Sequence, residues 1–224
     1  MTNKSNVIAI DGPSGAGKGT VSRAVAKTLD CGYLDTGAMY RAVAWRTQQD
    51  GYAFDDDEAV AGVAARAVFV LNEARVIIDG HDVTVAIRTG EMDKAAATVA
   101  RLPRVREVLV AQQRAYAEKG IVVVEGRDIG TVVFPDAMVK IYLDAAPSER
   151  AARRAKDPDH GFSEVSDLAE VASAIAARDH IDRTREVSPL TLASDAVLID
   201  TTGVAVEDVV SRVLGVVREK LKRA

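Results

Sequence analysis

A glycine-rich segment near the start of the chain has the residue types and spacing needed to bind phosphate. Residues 12–18 read GPSGAGK, the pattern G-x-x-x-x-G-K, directly after an apolar run and before a helical pattern. Glycines let consecutive backbone N–H groups turn toward phosphate oxygens, and the following helix adds the positive end of its dipole. Lys18 supplies a cation for the β- and γ-phosphates. The segment predicts a nucleotide-binding loop; the alternative is a glycine-rich turn with an exposed lysine.

We call residues 12–20 the phosphate loop. Its residues expected to bind ATP are Gly12, Pro13, Ser14, Gly15, Ala16, Gly17, Lys18, Gly19 and Thr20. Gly19 stands where a serine or threonine commonly follows the lysine, so the hydroxyl that often ligates Mg²⁺ is displaced to Thr20. We therefore expect Mg²⁺ to enter as MgATP, held mainly by phosphates and water, and assign no protein side chain to it.

Two groups of arginines could bind further phosphate. Arg178, Asp182 and Arg185 are spaced i, i+4, i+7, so a helix presents them on one face, where they could bind ribose and phosphate together. The spacing alone favours the alternative of intrahelical ion pairs on an exposed helix, worth about 0.3–0.5 kcal/mol each.

The second group precedes a short polar turn, residues 157–161, and consists of Arg150, Arg153 and Arg154. A mobile lid with arginines can cover a nucleotide, exclude water and stabilise the transferring phosphoryl group. A solvated basic helix face is an equal alternative. Arg150 and Arg154 share a face and are the candidates for catalysis beside Lys18. No Ser-His-Asp or Cys-His pattern is apparent, and the histidines receive no role.

Short apolar runs separated by helical patterns predict the elements that position these residues. Such runs are typical of strands buried on both faces of a parallel sheet. The predicted strands are Val7–Ile10, Tyr33–Leu34, Ile121–Val124, Met138–Leu143 and Ala196–Ile199. The pattern predicts a doubly wound α/β fold with a five-stranded parallel sheet, a single domain over residues 1–224, ending in a helix over Val206–Lys222.

One region departs from this alternation. Three short β-prone runs, Val68–Leu71, Val76–Asp79 and Val83–Val85, are separated by turn residues and favour antiparallel hairpins. We predict a small antiparallel β/α insert over residues 60–100, which could cover a second ligand that accepts a phosphoryl group, the acceptor. A helix then begins at Pro103 and runs to about residue 119. Residues 153–165 are the predicted short helical lid.

Composition narrows the function classes. The chain has 224 residues, 48% hydrophobic and 28% charged, with a net charge of -4, which argues against a nucleic-acid-binding protein. Cys31 is the only cysteine, so no internal disulfide is possible, as is typical of a reducing cytoplasm. No apolar stretch is long enough to cross a membrane. No large apolar surface stripe demands a partner, so we expect a cytoplasmic monomer.

Further strings resemble the cytidylate kinase family of bacteria, within the nucleoside monophosphate kinases and their P-loop fold. They are GPSGAGKGT at 12–20, LDTGAMYR at 34–41, PRVRE at 103–107, EGRDIGTVVFP at 125–135 and SPL at 188–190. The resemblance covers nearly the whole chain. It implies transfer of the γ-phosphate of ATP to CMP or dCMP. Competing hypotheses are a kinase for another acceptor, such as UMP or AMP, and a nucleotide-binding regulator that does not turn over.

The resemblance also implies roles in binding CMP. Arg41, Arg127 and Arg185 are assigned to the acceptor phosphate, which agrees with the preference of phosphate for arginine forks. Asp182 is assigned to the ribose with Arg178 beside it, and Arg106 and Asp128 are assigned to the cytosine, whose N4 amine needs an acceptor. Thr36 offers a hydroxyl, although a buried turn threonine is nearly as plausible. Ala97 stands where the family often has a serine, with Thr98 adjacent, which puts one base contact in doubt.

Overall fold

The computed structural model describes residues 5–72, 75–157 and 168–222. Its strands are β1 Ser5–Asp11, β2 Gly32–Asp35, β3 Phe69–Leu71, β4 Val76–Ile78, β5 His81–Asp82, β6 Val122–Gly126, β7 Ala137–Asp144 and β8 Val197–Asp200. Its α-helices are α1 Lys18–Leu29, α2 Thr36–Gln49, α3 Asp57–Arg66, α4 Gly90–Val99, α5 Pro103–Ala117, α6 Pro147–Ala155, α7 Leu168–Thr184 and α8 Val206–Lys222. A π-helical turn spans Ile129–Val133.

Five of these strands form the predicted parallel sheet, in the order β2-β6-β1-β7-β8. β1 is the central strand, and helices cover both of its faces. Val7 and Ala9 belong to the core cluster under α2 to α5, whereas Ile8 and Ile10 belong to the cluster under α1 and α8. Because successive side chains of a strand point to opposite faces, a strand covered on both sides needs apolar residues at every position. The predicted fold class is confirmed.

The carboxyl ends of the sheet strands meet at one edge. Asp11 is paired in register with Gly126, Asp35 with Glu125, and Asp144 with Asp200. Ligands of open α/β sheets bind in the crevice outside these ends. The loops that leave this edge therefore place the phosphate loop beside the other candidate residues.

The insert contains a three-stranded antiparallel sheet in the order β3-β4-β5. The first two strands are confirmed, but the prediction of a third over Val83–Val85 is wrong, because the third strand is β5, His81–Asp82. The Asp82 carboxylate accepts hydrogen bonds from the N–H and the hydroxyl of Thr84, which turns the chain directly after β5. Val83 is fully buried in a small cluster with Ile78 and Ile87.

The helices around this sheet are not separate from the main core, since Val60 and Val63 of α3 and Met92 of α4 lie in the same cluster as β1. The division into an insert over 60–100, a lid over 153–165 and the remaining core therefore stays a prediction. Of the predicted lid, residues 158–167 lie outside the described ones. The helices on either side, α6 and α7, pack through Ala151 and Val171.

The predicted terminal helix and the helix beginning at Pro103 are confirmed. Within the described ranges, no helix combines the length and apolar character needed to cross a membrane.

Candidate active site

A cavity of about 1400 Å³ opens at the carboxyl edge of the sheet. Its floor is the phosphate loop from Ser14 to Thr20, and its walls come from α2, α4, α7 and the start of α8. Sites for one small ligand usually measure about 300–1,000 Å³. The cavity is therefore large enough for two nucleotides side by side.

Close packing determines the path of the phosphate loop. Gly12 has φ +151°, and a Cβ there would lie 2.0 Å from the Leu143 carbonyl oxygen. Gly15 has φ +77°, and a Cβ there would lie 2.7 Å from the Arg150 carbonyl oxygen. Only glycine fits positions that combine positive φ with such contacts. Within the loop, Gly12 and Pro13 do not line the cavity, whereas Ser14 to Thr20 do.

Lys18 is buried at the start of α1. Its Nζ donates to the Pro13 carbonyl oxygen at 2.8 Å. Burial lowers the pKa of Lys18 to about 7, and the Arg127 guanidinium acts in the same direction. A bound phosphate would favour the ammonium form again, so the side chain can respond to the arrival of a nucleotide.

The Glu125 carboxylate lies beside Gly19 and fits a site for Mg²⁺. A Cβ on Gly19 would be 3.3 Å from Glu125 Oε1, so this carboxylate occupies the side toward which a serine or threonine at position 19 would point. It accepts a hydrogen bond from the Tyr33 hydroxyl. Burial, reinforced by the Asp35 carboxylate, raises the pKa of Glu125 to about 7. Carboxylate oxygens are the ligands that Mg²⁺ prefers, directly or through water. The sequence analysis missed Glu125 because the motif spacing directs attention to position 19 and to Thr20 beside it, and not to a strand distant in the sequence.

The start of α2 carries two of the predicted CMP-binding residues. Asp35 caps this helix by accepting from the Ala38 N–H at 2.9 Å, and its other oxygen accepts from Arg41 at 3.1 Å. Burial would raise the pKa of Asp35, but Arg41 and the capping N–H outweigh burial and hold that pKa below its usual value. Thr36 is buried and its hydroxyl donates to the Glu125 carbonyl oxygen at 2.7 Å. Thr36 lines the cavity, but its proton links α2 to β6.

Asp128 brings together residues from three parts of the chain. One carboxylate oxygen accepts from Arg185 Nη2 at 3.1 Å, and the other accepts from Arg106. Arg106 also donates to the Tyr40 hydroxyl at 3.3 Å. Asp128, Arg106 and Arg185 are each no more than 7% exposed. A buried carboxylate held between two guanidinium groups presents acceptors in a fixed position at the cavity wall.

Asp182 forms a second centre of this kind. It accepts from Arg127 Nε at 2.8 Å and from Arg178 Nε at 3.2 Å. The intrahelical pair with Arg178 exists, as the alternative from spacing predicted, but Arg127 joins it from the end of β6. Burial would raise the pKa of Asp182, and the two arginines outweigh it and lower that pKa. Arg127 and Arg178 line the cavity, whereas Asp182 is 1% exposed and is not among the lining residues. The Arg178–Asp182 pair is thus not on a solvated helix face.

Asp93 of α4 was missed by the sequence analysis and joins two predicted arginines. One carboxylate oxygen accepts from Arg154, and the other lies 3.9 Å from Arg41 Nη1. The backbone carbonyl of Asp93 accepts from Arg178. The structure therefore brings Arg154 of α6, at the start of the predicted lid, to the insert. A lone aspartate in an alanine-rich helix gives no sequence signal for such a role.

The two lid arginines assigned to catalysis are placed differently. Arg154 lines the cavity, whereas Arg150 does not. Arg150 is 5% exposed and donates to the Ala145 and Ser14 carbonyl oxygens at 3.1 and 3.0 Å. Its guanidinium therefore bonds the phosphate loop from outside the cavity lining, and a catalytic role for Arg150 stays a prediction. Arg153, which received no role, lies on the cavity wall beside Gly17.

The wall next to Arg153 was also missed. Arg153 donates to the hydroxyl and the carbonyl oxygen of Thr201 at 2.8 and 2.6 Å. The further wall residues here are Val204, Ala205, Val206 and Val209. An apolar wall next to the phosphate loop suits the flat face of a nucleobase. The sequence predicts a helix here, but not that its first turn faces the cavity.

Comparison with known proteins agrees with this geometry. The sequence model of the family described as "Cytidylate kinase" matches residues 8–219. A cytidylate kinase of Desulfitobacterium hafniense (strain Y51) is 47% identical over 218 residues, covering 96% of this chain and 94% of that protein. A cytidylate kinase of Geobacillus sp. (strain WCH70) is 47% identical over 219 residues, covering 96% and 97%.

Among solved structures, a gluconokinase from Sinorhizobium meliloti 1021 matches with a TM-score of 0.51 and 15% identity, covering 95% of this chain and 91% of that chain. This likeness shows the fold alone. The family itself is shown by the match of the family model over most of the chain and by the two relatives. The chain belongs to the cytidylate kinase family.

Proposed function

We propose that this protein transfers the γ-phosphate of ATP directly to CMP or dCMP. The observation that carries the proposal is a single cavity with two unlike halves. One half is built from the phosphate loop and Lys18, and the other from arginines arranged around Asp128 and Asp182. Membership of the cytidylate kinase family supports the choice of CMP.

The acceptor half suits a nucleoside monophosphate. Its phosphate carries about two negative charges, which Arg41, Arg127 and Arg185 would bind as planar forks. Asp182, already oriented by two arginines, would accept from the ribose hydroxyls, with Arg178 beside it. These arginines are ion-paired before a ligand arrives, so their positions are largely set in advance and little ordering is needed on binding.

Base selection would rest on Asp128 and Arg106. Cytosine has an N4 amine beside the N3 and O2 acceptors, whereas uracil has a carbonyl at position 4 and a proton on N3. A carboxylate that accepts and a guanidinium that donates therefore match cytosine. Ala97, where the family often has a serine, lines the cavity, as does the adjacent Thr98. The Thr98 hydroxyl donates to the Lys94 carbonyl oxygen at 3.3 Å, so toward a base it could act only as an acceptor.

The chemistry is an in-line displacement. An oxygen of the CMP phosphate forms a bond to the γ-phosphorus, and the bond between that phosphorus and the bridging oxygen breaks, leaving ADP. The attacking oxygen is already anionic at neutral pH, so no general base is required. Lys18, the loop N–H groups and Arg154 would stabilise the charge that develops.

Mg²⁺, when bound with ATP, would neutralise charge on the β- and γ-phosphates. Among the described residues, no group of three or more metal-ligating side chains is assembled. We therefore propose that phosphates and water provide most of the ligands of Mg²⁺. The Glu125 carboxylate, beside Gly19, would be the protein group that binds the ion directly or through water.

An assay of ADP release with CMP, dCMP, UMP and AMP tests the proposal. We expect kcat/KM for CMP or dCMP to exceed that for UMP and AMP by at least about tenfold. A higher value with UMP or AMP, or no turnover of CMP and dCMP, would overturn it. Size-exclusion chromatography in the same buffer tests the proposed monomer, and a cytoplasmic location stays a prediction.

A further inference from the structure

Ser14 of the phosphate loop is held at both of its backbone polar groups. Its N–H donates to Asp179 Oδ1 at 3.2 Å, and its carbonyl oxygen accepts from Arg150 Nη1 at 3.0 Å. Arg150 and Asp179 also bond to each other, and each is 5% exposed. A buried, hydrogen-bonded ion pair with two contacts to one residue fixes the peptide groups on both sides of that residue.

The two members of this pair come from different helices, on either side of residues 158–167. Arg150 lies in α6, where its Nε donates to the Ala145 carbonyl oxygen at 3.1 Å, so it is anchored to the end of β7. Asp179 lies in α7, next to Arg178 and one turn before Asp182. The helix that carries acceptor-side residues is therefore bonded directly to the loop expected to bind ATP.

This bond provides a physical route between the two halves of the cavity. α7 has contacts with the acceptor half through Arg178 and Asp182 on one side, and with Ser14 through Asp179. A rigid helix that is bonded at both places transmits a small shift from one to the other, provided that the bonds are retained. Removing the Asp179 bonds would leave the acceptor contacts in place and release the loop.

We propose that Asp179 is a positioning residue that, with Arg150, holds the phosphate loop and makes the affinity for ATP depend on whether the acceptor site is filled. Asp179 contacts neither substrate in this scheme and acts through Ser14. The inference rests on the proposed function, since it takes CMP as the ligand of the acceptor half. Linkage requires the effect to be reciprocal, so ATP must change the affinity for CMP by the same factor.

The Asp179→Asn variant tests this proposal by isothermal titration with a non-hydrolysable ATP analogue. Asparagine keeps the shape but has a single acceptor oxygen, so it can accept from Arg150 or from the Ser14 N–H but not from both. We expect CMP to tighten the binding of the analogue at least about fivefold in the wild-type protein. In Asp179→Asn we expect less than about twofold coupling, weaker binding of the analogue by at least about tenfold, and unchanged affinity for CMP alone.

Asp50→Asn is the matched control. Asp50 pairs with Arg46 at 3.0 Å at the end of α2, outside the cavity, and its variant should keep wild-type coupling. The absence of coupling in the wild-type protein, or its retention in Asp179→Asn, overturns the proposal. If Asp179→Asn loses affinity both for CMP alone and for the ATP analogue alone, the proposal is also overturned, because that result indicates general damage to the fold.

A double variant covers the case in which Asp179→Asn does not fold. Replacing one member of a buried ion pair leaves an unpaired charge, whereas replacing both with apolar residues is often tolerated. Arg150→Met/Asp179→Leu should therefore fold and still lack coupling, and wild-type coupling in it overturns the proposal. Wild-type ADP release with CMP is measured in parallel. If that reaction fails while ATP-analogue binding still differs between the variants, the proposed function is at fault and not the role of Asp179.

Discussion

Asp128→Asn is the sharpest test of how the base is selected. Each oxygen of Asp128 accepts from one buried arginine, Arg106 or Arg185. Asparagine has nearly the same shape, but one acceptor oxygen becomes an N–H₂ donor. The variant would have to turn this donor toward a guanidinium or toward the base. Alanine is a poorer choice, because it leaves two buried guanidinium groups without a carboxylate.

The magnitude follows from the hydrogen bond that is lost. A bond to a charged group contributes about 1.5–3 kcal/mol, and about 1.4 kcal/mol corresponds to a factor of ten. Cytosine loses its charged acceptor at N4, whereas the new N–H₂ group could donate to O4 of uracil. We expect the ratio of kcat/KM for CMP to that for UMP to fall by about 10- to 100-fold.

The assay is ADP release at limiting CMP and limiting UMP, with urea unfolding to check that the variant is folded. Asp195→Asn is the control, since Asp195 bonds Lys140 at 2.8 Å and is largely exposed outside the cavity. The control should keep the wild-type ratio. A folded Asp128→Asn protein that also keeps this ratio would refute the assignment of Asp128 to the base.

Three further predictions concern the phosphate loop. Lys18→Met should lower kcat at least about 10²-fold with little change in the affinity for CMP, and wild-type kcat in this variant would exclude Lys18 from catalysis. Since burial lowers the pKa of the free Lys18 to about 7, and phosphate binding needs its charged form, ATP affinity should fall as the pH rises above about 7, by up to about tenfold per pH unit; a Kd that is independent of pH from about 7 to about 9 contradicts this. Gly12→Ala should lower the free energy of unfolding in urea by at least about 3 kcal/mol, because its Cβ would lie 2.0 Å from the Leu143 carbonyl oxygen. Gly51→Ala is the control: Gly51 has φ +76°, a Cβ there would have nothing within 4 Å, and the variant should lose only about 1 kcal/mol of unfolding free energy. Equal losses in the two variants would exclude the contact with Leu143 as the cause.

Local patterns predicted much of this fold. Each of the five sheet strands was placed within a few residues, because a strand covered on both faces needs an unbroken apolar run. The wrong prediction of a strand at Val83–Val85 also came from relying on a local apolar run. A short β-prone run resembles a strand, but here the last backbone bond to β4 is from the Val83 N–H to the Val76 carbonyl oxygen, and the Asp82–Thr84 hydrogen bonds then turn the chain away. Side-chain bonds of this kind compete with strand pairing and leave little trace in hydrophobic periodicity.

The sequence by itself determined where the phosphate loop lies, which strands and helices surround it and, through the family strings, which arginines to consider. Only the tertiary structure decided where these side chains lie: Arg154 lines the cavity wall, whereas Arg150 bonds the phosphate loop from outside it. It also revealed three acidic residues at the site that the sequence did not predict, Glu125, Asp93 and Asp179. The physical reason is the range of the interactions. Turns and periodicity depend on neighbouring residues, whereas a contact such as Ser14 with Asp179 exists only after strand order and helix packing bring distant segments together.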